Sequence, residues 1–173
     1  MFNRREFMTA GALAGAALAA SSTGCRRTSY GFLNDHQASA LEAICDQIIP
    51  ADDFPSASQA GVLNYIDLQL MGHYRRHQKT YRDGLRQANE LSRNRFGVEL
   101  AAASPQQQFQ IVSAIEKDNE PFFDLVRAHT MQGYYGTPRH GGNRDAVSWR
   151  MLGLDEPPLR GRAQYDLTAE TKR

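Results

Sequence analysis

The sequence predicts an all-α protein: a small helical domain of about five helices with a C-terminal loop region rich in glycine, proline and aromatic residues, preceded by a signal peptide. Two observations predict this class. Apolar residues recur at steps of three and four along most of the chain, and no segment alternates apolar and polar residues as a half-buried strand does. At 173 residues, with 41% hydrophobic and 23% charged residues, the chain has room for one globular domain.

The first helix has recognisable signals at both ends. Asn34 is a good cap, and Gln37 three places on is placed to return the bond, as in a capping box. Pro50 lacks the N–H of the helix ladder and restricts the residue before it, so the helix stops near Ile49. Cys45 is expected as a buried free thiol that acts as a small hydrophobe. The apolar face comprises Leu41, Ile44, Cys45, Ile48 and Ile49.

Two further helices follow a loop at residues 51–59. The second ends near Gly72, with Asp67 and Gln69 opposite an apolar side formed by Val62, Leu63, Ile66 and Leu70. The third is the longest pattern, from Tyr74 to Phe96, and Gly97 ends it. Its basic residues are interpreted as a solvated face, with an acidic partner as the alternative: Arg75, Arg76, Lys79, Arg82, Arg86, Arg93 and Arg95.

The fourth and fifth helices precede a change in composition. Ser104 is predicted to cap the fourth, with proline at the first helical position and glutamine at the third, and its buried side is assigned to Phe109, Val112 and Ile115. The fifth runs from about Pro121 to Met131. From His129 onward, glycines, prolines and large aromatics predict a structured loop region, because so many breakers interrupt a helix. Packing of Tyr134, Tyr135 and Trp149 over the end of the core is the alternative to a binding surface.

The N-terminus is predicted to be an export signal. Arg4 and Arg5 are followed by Phe7, in a pattern that resembles the twin-arginine signal. The apolar stretch at residues 9–20 is too short for a membrane-spanning helix and is typical of a signal h-region; an ordinary secretory signal is the alternative. The predicted divisions are a twin-arginine signal peptide at residues 1–24, a linker at 25–32 and a helical domain at 33–173. The localisation expected from this is periplasmic.

Two processing routes fit the end of the leader. Ser22 to Cys25 resembles a lipoprotein cleavage box in which Cys25 becomes the lipidated first residue, although serine replaces the usual apolar residue three places before the cysteine. Cleavage after Ala19 by the general signal peptidase is the other route, and lipidation is slightly favoured. Membrane association is therefore expected through a Cys25 lipid or through a partner.

The composition and motifs disfavour several function classes. Removal of residues 1–24 leaves the chain formally neutral, so no nucleic acid partner is expected. The sequence contains no G-x-G-x-x-G and no C-x-x-C-H, so it predicts neither a dinucleotide turn nor covalent haem. His73 and His77 lack a nearby third ligand, which favours a surface pair over a metal site. An acid–base set of His129 and His140 near Arg144 and Asp145 is disfavoured, because no nucleophile accompanies it.

The chain resembles a known family, the small third subunit of membrane-associated gluconate and sugar dehydrogenases. The resemblance covers nearly the whole chain: the twin-arginine leader, the segment DQIIPADDFPSASQAGVLNYID and, most specifically, HTMQGYYGTPRHGGNRDAVSWRMLGL. At positions where family members vary, this sequence has Thr137 and His140.

The resemblance implies a non-catalytic accessory subunit. In such complexes a large flavoprotein of the glucose-methanol-choline type binds FAD and oxidises the substrate, and a cytochrome subunit with haem c often takes the electrons. The small subunit is expected to assist maturation of the flavoprotein and to carry it through the twin-arginine translocase. No cofactor, metal or catalytic residue is expected in this chain itself. A free-standing periplasmic lipoprotein that binds another protein is the alternative. The expected partner interface is His129, Tyr134, Tyr135, Arg139, Asn143, Arg144 and Trp149.

Overall fold

The computed structural model describes residues 30–154, and within this range every regular element is helical. Short 3-10 turns lie in three of the connections between helices. The six helices are α1 (Asp35–Ile48), α2 (Val62–Met71), α3 (Gln78–Phe96), α4 (Pro105–Asp118), α5 (Glu120–Tyr135) and α6 (Val147–Met151). The predicted all-α class is confirmed for the described range. The count differs from about five because the glycine-rich C-terminal region contains α6.

Three helix ends lie where local sequence signals predict them. The Asn34 side chain accepts from the Gln37 N–H at 2.9 Å, and the Gln37 side chain accepts from the Asn34 N–H at 3.1 Å, so the predicted capping box is confirmed. Ser104 and Gln107 form a second capping box at the start of α4. Gly97 ends α3 in the left-handed conformation, at φ 74°, as a C-terminal glycine often does.

The α2–α3 connection differs from the prediction. Helix α3 begins at Gln78 rather than Tyr74, because residues 75–77 form a 3-10 turn. Their spacing of four residues would place His73 and His77 on one face of an α-helix, but neither lies in an α-helix in the structure. Within residues 30–154 no group of three or more histidine, cysteine or acidic side chains is placed to hold a metal ion.

The buried side of α4 was partly misassigned. Phe109 is 62% exposed, and Ile111 is buried in its place beside Val112 and Ile115. Positions 109, 112 and 115 are separated by three residues each, and each such step rotates the position by about 60° around the helix, so the three do not share one narrow face. Residues 111, 112 and 115 lie closer together on the helix surface and form the packed stripe.

Asp67 is also placed differently from the prediction. It lies on the buried side of α2 rather than opposite it, and its carboxylate accepts the backbone N–H groups of Gly31, Phe32 and Leu33 at 2.7–2.9 Å. Three hydrogen bonds to one carboxylate satisfy its charge inside the protein. They fix the start of the described domain to α2.

Helix α5 is longer than predicted and ends at Tyr135 instead of near Met131. Its interior contains Gly133, which was expected to break it. The Tyr65 ring of α2 packs directly on this glycine, and a Cβ added there would lie 2.9 Å from Tyr65 Cδ1. The close approach of α2 and α5 therefore requires glycine at this position, and tertiary packing compensates for its weak helix propensity.

The core lies where α1 packs against its neighbours α2, α3, α4 and α5. Cys45 is fully buried within it and lies 3.3 Å from the Thr130 hydroxyl. Burial raises the pKa of this thiol to about 12, so it is protonated and unreactive at neutral pH, which confirms the packing role expected for it. Over the described residues, no helix combines the length and the apolarity required to cross a membrane. The largest buried side chains include Leu41, Ile44, Ile66, Tyr81, Leu85, Ile111, Ile115 and Phe122.

Candidate partner interface at the C-terminal end

Residues 136–154 turn back after α5 and pack against α2 and α5. Gly142 lies on the backbone of α5, where a Cβ would collide with the carbonyl oxygen of Gly133. The Asn64 side-chain amide donates to the Gly141 carbonyl at 2.9 Å, and the Arg144 N–H donates to the Ala60 carbonyl at 2.8 Å. These contacts attach the segment to the body of the domain and determine which of its side chains face outward.

The Asn143 side chain holds this segment together by hydrogen bonds. It is fully buried, and its amide nitrogen donates to the Gly136 carbonyl at 2.8 Å while its amide oxygen accepts the Ser148 N–H at 3.0 Å. One side chain thus joins the end of α5 to the start of α6. Asn143 was predicted at the partner interface, but the structure places its side chain inside the protein, where its contacts are with this chain.

The turn around Asn143 is strained. Asn143, Asp145 and Ala146 have φ values of 43°, 56° and 53°, and they are the non-glycine residues with positive φ within residues 30–154. Each such conformation costs on the order of 1 kcal/mol and persists where surrounding contacts determine it. Strained loops of this kind concentrate at functional sites, which marks the segment as a candidate surface for binding.

The predicted aromatic residues divide between core and surface. Tyr134 is 1% exposed, and its hydroxyl donates to the Pro55 carbonyl at 2.8 Å. Tyr135 is 37% exposed and stacks edge-on with Tyr134 at 5.0 Å between ring centroids. The Trp149 indole N–H donates to the Tyr135 carbonyl at 3.0 Å, and Trp149 is partly buried. Tyr135 and Trp149 therefore lie side by side at the surface, while Tyr134 anchors the loop at residues 51–59.

His129 lies in a buried aromatic cluster away from the other predicted interface residues. Its ring stacks on Tyr74 at 4.3 Å, and Nδ1 lies 2.9 Å from the Tyr81 hydroxyl. Burial lowers the pKa of His129 to about 4, with a smaller contribution from the neighbouring His77 and Arg76. The histidine is thus neutral at neutral pH. None of the hydrogen bonds of the described residues joins it to His140 or Asp145, so the geometry gives no support to the acid–base set.

The predicted interface arginines are exposed. Arg139 lies in the 3-10 turn Pro138–His140, and Arg144 in the 3-10 turn Arg144–Ala146. The ion pairs formed among residues 30–154 include neither of them. Of the seven predicted interface residues, four therefore offer surface and three, His129, Tyr134 and Asn143, lie inside and support it.

Sequence reasoning missed the roles of two polar residues that connect α2 to other parts of the domain. Gln132 accepts hydrogen bonds from the hydroxyls of Tyr65 and Tyr74 at 3.2 and 3.0 Å, which links α2 to α5 and to the α2–α3 connection. Nothing in the local sequence singles it out. For Asp67 a signal was present, since it follows Leu63 by four residues and precedes Leu70 by three, the spacing of the buried face.

The remaining predicted positions, Arg4, Arg5, Phe7 and Cys25, lie outside the described residues. Comparison of the chain with curated proteins and with solved structures gave no match. Comparison with family models matched residues 35–155 to gluconate 2-dehydrogenase subunit 3. The match spans all six helices and the strained C-terminal segment, and on this evidence the chain belongs to the gluconate 2-dehydrogenase subunit 3 family.

Proposed function

We propose that this chain is the non-catalytic small subunit of a periplasmic FAD-dependent sugar or gluconate dehydrogenase complex. It assists maturation of a flavoprotein of the glucose-methanol-choline type and exports that flavoprotein with itself by the twin-arginine route. The observation that carries the proposal is the family match over residues 35–155. FAD and the oxidation of substrate belong to the flavoprotein, and haem c belongs to a further cytochrome subunit.

The leader supports the export role. Arg4, Arg5 and Phe7 form a twin-arginine pattern, and this route moves proteins that are already folded. A flavoprotein that receives FAD in the cytoplasm needs such a route and, if it has no leader of its own, a partner that carries one. The carrier role fits a small domain that has an export signal and an exposed C-terminal segment held by internal hydrogen bonds.

Replacement of the arginine pair tests the carrier role. With Arg4→Lys and Arg5→Lys together, we expect both this chain and the flavoprotein to remain in the cytoplasm, measured by immunoblot and by dye-reduction activity in the periplasmic fraction. Arg26→Lys with Arg27→Lys is the matched control, because it changes a second arginine pair that follows the leader. Normal export of the flavoprotein activity by the Arg4/Arg5 variant would refute co-export.

The division of chemistry is tested on the separated chain. Purified alone, it should show no flavin absorbance and no sugar-dependent dye reduction, and either signal would assign catalysis to this subunit. Affinity purification from native membranes should recover a flavin-containing protein. Recovery without any flavoprotein would favour the free-standing lipoprotein instead.

The membrane tether is a separate part of the proposal. If Cys25 is lipidated, the chain incorporates labelled fatty acid in cells, and Cys25→Ser abolishes the label while the folded domain is retained. An unlabelled wild-type chain with a mature N-terminus at another residue would show cleavage by the general signal peptidase, and membrane association would then depend on the partner.

A further inference from the structure

Large apolar side chains are concentrated at the end of the molecule where α6 packs against α5. Of the nine that are exposed in residues 30–154, four lie here: Met131, Tyr135, Leu152 and Leu154. Met131 and Tyr135 are one turn apart on α5. The indole of Trp149 is bonded to the Tyr135 carbonyl, and the Leu154 N–H to the Trp149 carbonyl at 2.8 Å. Met131, Tyr135, Leu152 and Leu154, together with Trp149, are called the docking face.

Isolated apolar residues on a surface are ordinary, but a cluster of them marks a surface that another molecule covers. Met131 is 43% exposed and Leu152 is 55% exposed, so both leave substantial apolar area in water. Tyr135 and Trp149 add broad rings with few rotatable bonds, the type of side chain that dominates the centre of protein interfaces.

Two arginines outside any ion pair lie on the C-terminal segment that carries part of the docking face. Arg139 is exposed in the 3-10 turn Pro138–His140, and the Arg150 guanidinium is bonded to the backbone carbonyl of Asp145 rather than to a carboxylate. The ion pairs formed among the described residues include neither of them.

We propose that the docking face binds the catalytic subunit of the dehydrogenase complex, at an apolar patch that acidic side chains surround. This inference rests on the proposed function and assigns the partner surface within it. A second copy of this chain is the wrong occupant on charge, because a two-fold dimer on this face would bring Arg139 and Arg150 of both copies to one interface. Electrostatic complementarity instead selects an acidic partner and speeds its approach.

The strained turn gives the docking face a fixed shape. Asn143 holds the end of α5 to the start of α6, and the Trp149 indole is held by the Tyr135 backbone. Side chains that are already ordered lose little conformational entropy when a partner binds. The contacts of Asn143 and Trp149 thus hold α6 against α5 and offset the cost of the positive φ values of Asp145 and Ala146.

Charge insertion into the docking face tests the proposal in the intact complex. The tagged full-length chain is produced together with the flavin-binding catalytic subunit, and the dissociation constant is measured by dilution of the purified complex. Met131→Asp and Leu152→Asp should each weaken binding by about tenfold or more, the effect typical of residues at an interface centre. The matched control is Phe109→Asp on α4, where the side chain is 62% exposed, and it should change binding by less than about twofold.

A footprint that needs no disruptive variant provides the second measurement. Leu152→Cys and Phe109→Cys are labelled with maleimide, and each site is followed by peptide mass spectrometry with and without the catalytic subunit. Protection of position 152 but not of 109 supports the proposal. Equal binding by the wild type, Met131→Asp and Leu152→Asp overturns the docking face and leaves the proposed function intact.

Two other outcomes also overturn the assignment, and a third removes the charge argument from it. Protection of position 152 by self-association of the isolated chain would make a second copy the occupant. Failure of the wild-type chain to bind the catalytic subunit would refute the proposed function itself, and the docking face would lose its assigned partner with it. Binding that is not weakened at high salt would show that the arginines do not contribute to the affinity, since salt screens exposed charge pairs.

Discussion

The carboxylate of Asp67 accepts the backbone N–H of Leu33 at 2.9 Å, across 34 positions of sequence. The same carboxylate also binds the N–H groups of Gly31 and Phe32. A single buried side chain of α2 therefore holds the first described residues of the chain against the helical domain.

Removal of this carboxylate should destabilise the domain. We expect Asp67→Ala to lower the free energy of unfolding by about 2–3 kcal/mol, because it leaves backbone donors without their charged acceptor. Denaturant unfolding monitored by circular dichroism measures the change. Asp53→Ala, on the exposed loop at residues 51–59, is the control and should have little effect. Equal stability of Asp67→Ala and the wild type would contradict the anchoring role.

His129 should make the stability of the domain depend on pH. Its pKa is lowered to about 4 by burial, then by His77 and Arg76, whereas in the unfolded chain it is near the ordinary 6.5. The unfolded chain therefore binds more protons between these values, and stability present above pH 6.5 is lost as the pH falls toward 4. The loss should be on the order of 2 kcal/mol.

Comparison of variants isolates this contribution from the other groups that titrate in acid. His129→Gln should flatten the decline of unfolding free energy between pH 6.5 and 4 relative to the wild type. His140→Gln, which changes an exposed histidine of the C-terminal segment, should retain the wild-type slope. The interpretation is wrong if the two variants show the same pH dependence.

Ala146 provides a test of backbone strain. Its φ of 53° disfavours alanine but is easily adopted by glycine, so Ala146→Gly should leave the domain equally stable or stabilise it by up to about 1 kcal/mol. Ala128→Gly, at an exposed position inside α5, should instead cost about 1 kcal/mol through lost helix propensity. Thermal unfolding of the two variants compares them directly, and a similar destabilisation by both would argue against strain at position 146.

Local signals predicted the helix boundaries well, since capping boxes and terminal glycines depend on neighbouring residues. The misplaced residues depend on tertiary contacts. Phe109 is apolar and lies at steps of three from Val112 and Ile115, but packing of α4 against its neighbours buries Ile111 and leaves Phe109 exposed. Gly133 is expected to interrupt a helix, and only its contact with the Tyr65 ring explains why α5 continues through it. Likewise, the burial of Asn143 depends on a turn with positive φ that its composition alone does not specify.

The sequence predicted an exposed C-terminal segment but not which of its side chains face outward. The glycine-rich composition after His129 indicated a binding segment, and Tyr135, Arg139, Arg144 and Trp149 do offer surface there. Packing of the segment on α2 and α5 determines which of its residues face inward. The sequence pattern gives no sign of this packing. Met131 was assigned only as the end of a helix, although it lies in the exposed docking face.

Gly142 should determine whether the C-terminal segment stays attached. A Cβ at this position meets the Gly133 carbonyl, a backbone atom that cannot move aside without distortion of α5, so Gly142→Ala should separate the segment from α5. Trp149, the single tryptophan of the chain, reports the change, because loss of its contacts with Tyr135 exposes the indole and shifts its fluorescence to the red. Gly153→Ala is the control, since no atom lies near an added Cβ there and any effect of this variant comes from its own φ of 66°. An unshifted spectrum for Gly142→Ala would mean that the segment adapts to the added methyl group. A red shift confined to Gly142→Ala, together with weaker binding of the catalytic subunit, would show that attachment of this segment to α5 is what holds the docking face in its binding shape.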